Sequence, residues 1–81
     1  MSPKEAGELV KKSQNYEQVI RIKDFDSNHY VVEAIPFANK FTRGAQTLFG
    51  VDKNDGAVTA FYLNYENNYD RYMKASECKL E

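Results

Sequence analysis

Two kinds of hydrophobic spacing divide this chain. Ala6, Leu9, Val10 and Ser13 fall at i, i+3, i+4 and i+7, one face of an α-helix, and Lys11 and Lys12 sit towards its C-terminal end, where the helix dipole favours cations. Ser2-Pro3-Lys4-Glu5 in front of that stripe reads as a capping box with proline at the first helical position, predicting a helix over 3–13. From Glu17 the period changes to two: Ile20 and Ile22 fall on one face, with Val19, Arg21 and Lys23 on the other. Asp24-Phe25-Asp26-Ser27-Asn28 supplies turn chemistry, and His29 to Ile35 resumes extended character until Pro36, so a hairpin is predicted. Residues 36–44 (PFANKFTRG) read as an irregular loop that folds its phenylalanines back onto the domain. Gln46 to Val51 and Ala57 to Leu63 predict a second hairpin. Beyond it Tyr65, Tyr69, Tyr72 and Met73 return to helical spacing, with Asn64 as cap.

The connection Asp52-Lys53-Asn54-Asp55-Gly56 admits two readings, a cation loop or a hairpin turn. A calcium loop of the EF-hand type needs oxygen ligands at positions 1, 3 and 5, glycine at 6 and glutamate at 12. Counted from Asp52, glycine arrives one residue early and position 12 is the apolar Leu63. The expectation is a turn in which Asp52 and Asn54 bond local backbone amides and Gly56 takes the positive φ.

Eighty-one residues bound the chain to one domain, because a chain this short cannot divide its buried surface between two cores. The expected class is α+β, with the first helix packed on a four-stranded antiparallel sheet and a short C-terminal helix. Eleven basic against twelve acidic side chains leave a formal charge of −1, no footprint for nucleic acid. No apolar run approaches the roughly 20 residues that span a bilayer. Residues 79–81 are expected to be tail, and Leu80-Glu81 resembles the scar that precedes a purification tag, so an excised piece of a longer protein is one reading.

Candidate chemistry is sparse. Cys78 is the single cysteine, which excludes an internal disulfide, and its place near the chain end predicts an inert thiol. His29 is the single histidine; a catalytic role requires a carboxylate or hydroxyl within about 3.2 Å in a concave pocket, and the sequence spacing supplies none. A partly exposed histidine at a strand edge is the plainer expectation. There is no glycine-rich phosphate loop, no His-Glu-x-x-His and no nucleophile elbow. No catalytic residue, cofactor site or metal site is expected. The aromatics carry more: Phe37 and Phe41 in the loop, and Tyr65, Tyr69 and Tyr72 near the end, must fill the core or cover themselves with a partner. They are the partner-surface candidates together with Arg43, while Glu66, Asp70 and Arg71 are candidates for a polar rim. For the tyrosines the favoured reading is a helical stripe that simply packs on the sheet; an exposed part of the cluster serving as a contact surface comes second, and carbohydrate or base stacking last.

The order helix, hairpin, loop, hairpin, with Lys4-Glu5-Ala6 opening the helix, Tyr30-Val31-Val32-Glu33 in the second strand and Val51-Asp52 to Gly56-x-Val58 closing the last hairpin, resembles the PepSY domain family over residues 3–62. These are fold-marking positions, none of them catalytic. The loop at 36–44 and the tyrosine-rich extension depart from the family's pattern. The resemblance implies a cystatin-like helix-on-sheet fold in an extracytoplasmic domain, often of a lipoprotein or other bacterial envelope protein. There it modulates a peptidase or contacts wall components. The expected function is therefore a non-enzymatic binding or regulatory domain with a protein partner. The rival is a small intracellular protein of immunity or phage type that blocks a partner enzyme.

Overall fold

The capping box closes as its residues dictate. The Ser2 hydroxyl accepts from the Glu5 amide at 3.2 Å and the Glu5 carboxylate accepts from the Ser2 amide at 3.0 Å, so helix α1 (Pro3–Gln14) begins at the proline. It ends at Asn15, whose φ of 56° is the left-handed conformation that asparagine tolerates at a helix terminus. A computed structural model describes residues 1–36, 46–65 and 67–79. After α1 come strands β1 (Tyr16–Asp24), β2 (His29–Pro36), β3 (Leu48–Asp52) and β4 (Val58–Ala60), then helix α2 (Asn68–Lys74) and strand β5 (Ser76–Cys78). Among the described residues no helix is long and apolar enough to cross a membrane.

Among the described residues the strands form one antiparallel sheet in the order β4-β3-β2-β1-β5, one strand more than the four expected. The added strand is β5, which returns from α2 to pair with Ile22–Asp24 on the edge of β1 that faces away from β2. Although near the chain end, Cys78 therefore lies in a strand, half-buried against the core, and burial pushes its thiol up. The two expected hairpins are present. In the second, Asp52 Oδ1 accepts from the amides of Asn54 at 2.7 Å and Asp55 at 3.3 Å, Asp55 accepts from Ala57, and Gly56 takes a φ of 75°. Those acids shape a turn. Asn54 contributes its main-chain amide to that turn, whereas the sequence had suggested its side chain.

Strand pairing sorts the side chains by face. The row Cys78, Ile22, Val32, Phe49 and the row Tyr30, Val51, Val58 lie towards α1. There they meet Ala6 and Val10, both fully buried, to make the main core. A register shift between Val19 and Arg21 alters β1: Ile20 is the extra residue, Val19 and Ile22 both pack towards α1, and Ile20 is exposed. The expected pairing of Ile20 with Ile22 on one face thus gives way to a bulge. Gly7 is the reason α1 can sit so close, since a Cβ there would stand 3.2 Å from Ile22 Cδ1.

Candidate functional site

The face of the sheet away from α1 carries the unusual chemistry. One row across all five strands reads Glu77, Lys23, Val31, Gly50, Thr59, and the neighbouring pair is Arg21 with Glu33. Three aromatic rings cover this row. Phe25 meets Phe61 edge-on at 5.0 Å, and Phe61 lies 6.1 Å from Tyr72 of α2. Beneath Tyr72, Lys23 is buried; its ammonium lies 4.6 Å from the ring centroid and donates to the Tyr72 carbonyl at 3.0 Å. That bond and the ring contact account for a lysine inside the fold. Arg21 bridges Glu33 at 3.0 Å and Glu77 at 3.5 Å, tying β1 to both neighbouring strands.

Asp26, in the turn between β1 and β2, is the hub of the second polar group. Its Oδ1 accepts from the Asn28 amide at 2.8 Å and lies 3.1 Å from His29 Nδ1, while Arg71 Nη2 donates to Oδ2 at 3.2 Å. The guanidinium also lies 4.5 Å over the Phe25 ring. Asp26 and Phe25 therefore hold α2 to the first hairpin. Burial pushes the Asp26 carboxyl up, but the Asn28 amide and the His29 imidazole outweigh it, and the group sits below its ordinary value. A lowered folded-state value means that its contribution to stability is present above the ordinary aspartate pKa of about 3.9 and is lost as pH falls through the folded value. Between about pH 5 and pH 3, wild-type urea midpoints should fall more steeply than those of Asp26→Asn. Parallel pH profiles for the two proteins would contradict this assignment.

Phe25, Asp26, His29, Arg71, Thr59 and Phe61 surround a concavity of about 250 Å³ whose floor is Val31 and Gly50. His29 thus meets the distance set for a catalytic pair, with a carboxylate at 3.1 Å inside a concave site. The partners are only three residues apart in one turn, and the same Asp26 oxygen accepts the Asn28 amide. Turn formation by itself accounts for the contact.

The expected partner-surface residues separate. Tyr65 and Tyr69 are exposed, joined by Tyr62 and Met73. Tyr72 is a correction: it is buried between α2 and the sheet, over Lys23 and beside Phe61, whereas Tyr69 on the same helix stays exposed. The favoured reading of a packed stripe holds for that one tyrosine, whereas Tyr65 and Tyr69 are exposed. Of the rim candidates, Asp70 is exposed and Arg71 lines the concavity. Phe37, Phe41, Arg43 and Glu66 lie outside the described residues. Helix α2 starts after Asn67 with no side-chain cap, so Asn64 is not its cap and Tyr65 precedes the helix. Sequence reading missed the Asp26–His29–Arg71 group, although the Asp-x-x-His spacing in the turn was the available signal. The chain matches no family model, no curated protein and no solved structure.

Proposed function

We propose that this chain is a non-enzymatic binding or regulatory domain whose partner is a protein, contacted through the tyrosine-rich segment 62–73. The observation that carries the reading is the exposure of Tyr62 at 55%, Tyr65 at 64%, Tyr69 at 58% and Met73 at 57%. Isolated exposed apolar residues are ordinary, but large amphipathic rings and methionine recurring within one short segment are what protein contact surfaces enrich. Tyr69 and Met73, four apart in α2, share the outward face, while Tyr72 and Arg71 anchor the same helix from within. A rigidly held helix presenting two such side chains loses little conformational freedom on binding.

The PepSY resemblance supports an envelope setting and a peptidase or wall-associated partner; this part of the proposal rests on the resemblance alone. The test is capture of a partner from an envelope fraction of the source organism by the immobilised domain. Tyr65→Ala/Tyr69→Ala should lose the captured protein while its unfolding temperature stays close to that of the wild type, because both rings lie outside the core. Equal capture by both proteins would refute the segment as the contact surface.

A further inference from the structure

Gly50 stands in the middle of β3 between Val31 and Thr59, on the face away from α1. Glycine weakens the interior of a strand, so its presence there needs a reason. Gly56 has one in its positive φ, and Gly7 has one in the close approach of Ile22. Gly50 has neither: its φ is not positive, and among the described residues a Cβ built on it would meet nothing closer than Thr59 Oγ1 at 3.5 Å, an ordinary contact. Among the described residues neither backbone conformation nor packing calls for glycine at this position. What the missing side chain preserves is the space above it, the concavity of about 250 Å³ already described.

The polar groups around that space have a bias. Both Asp26 oxygens are engaged, by Asn28 and His29 on one side and Arg71 on the other, so its acceptor capacity is directed inward and its charge is balanced by the guanidinium. Arg71 carries five N–H donors in a planar fork, of which one meets Asp26, and its stacking on Phe25 fixes the plane of the fork. Thr59 adds a hydroxyl. The rim therefore presents the Arg71 fork and the Thr59 hydroxyl, beside an Asp26 carboxylate already engaged within the fold, above an apolar floor of Val31 and walls of Phe25 and Phe61. A planar fork of donors matches a carboxylate in two-point geometry.

We propose that this concavity binds a small carboxylic acid, its carboxylate on Arg71 and Thr59 and its apolar body over Gly50 against Phe61 and Val31. The volume lies just under the range of about 300–1,000 Å³ typical of ligand pockets, which sets the ligand near the size of one aromatic ring or a short branched chain. The proposal does not depend on the tyrosine surface. It is tested by amide-resonance titration of the domain with benzoate, against benzamide and inorganic phosphate at constant ionic strength. Benzoate should give saturating shifts at Val31, Gly50 and Thr59, with benzamide and phosphate each about tenfold weaker or more, the effect expected for one charge-assisted contact or for a lost apolar body. Gly50→Val should abolish the benzoate response, and Arg71→Gln should erase the preference for benzoate over benzamide. Should Gly50→Val disturb the sheet, Gly50→Ala, whose Cβ makes only ordinary contacts, should weaken benzoate in the same direction. Shifts that rise linearly without saturation, equal responses to all three probes, or full benzoate affinity in a folded Gly50 variant would each overturn the site.

Discussion

Replacing Tyr72 by alanine is expected to destabilise the domain by about 3 kcal/mol, the lower end for deleting a buried aromatic ring. Tyr69→Ala, three residues earlier in the same helix, should stay within about 0.5 kcal/mol. The difference follows from burial: Tyr72 is 6% exposed and Tyr69 58%. Removing Tyr72 takes away the lid over Lys23 and the neighbour of Phe61 at once, leaving an ammonium beside a void. Because Arg71 and Tyr72 are the side chains that hold α2, part of the loss should appear as local opening of residues 67–78 ahead of the main core. Urea unfolding gives the magnitude and amide exchange the location. Equal costs for the two substitutions would mean that α2 does not pack on the second face as described.

The second large effect concerns the bulge in β1. Ile22→Ala should cost about 3 kcal/mol, within the range for truncating a buried isoleucine. For a domain of this length that is a fall of roughly 15 °C in Tm. Ile22 is 2% exposed and lies against Val32, Cys78 and the close approach of Gly7. Ile20→Ala, two residues earlier, should cost well under 1 kcal/mol, since that side chain is 39% exposed on the bulge. Simple alternation would instead make the two substitutions equivalent. Thermal unfolding of the two variants side by side separates a bulged strand from a regular one.

These contrasts also mark where reading along the chain succeeds. Ser2, Pro3 and Glu5 interact within one turn of helix, so their contacts are determined by residues three apart and the start of α1 was legible. The turn at 52–57 is equally local, because Asp52, Asp55 and Gly56 bond or bend within a few residues of themselves. The exposed Tyr65 and Tyr69 were legible as surface candidates, since large rings near the end of a short chain have little core left to enter. Tyr72 was not, because helical spacing marks a stripe without saying which of its members meets the sheet.

Sequence alone therefore determined the α+β class, the order of a capped helix and two hairpins, and the turn that joins β3 to β4. Tertiary structure decided the rest. The bulge at Ile20 exists only in register against β2, and β5 is three residues with no periodic signal until β1 offers it an edge. The group of Asp26, His29 and Arg71 joins residues 45 apart in the chain, and the space over Gly50 opens only when Val31 and Thr59 flank it. Local interactions are written in neighbouring residues, whereas a pocket is defined by side chains whose meeting depends on every strand between them.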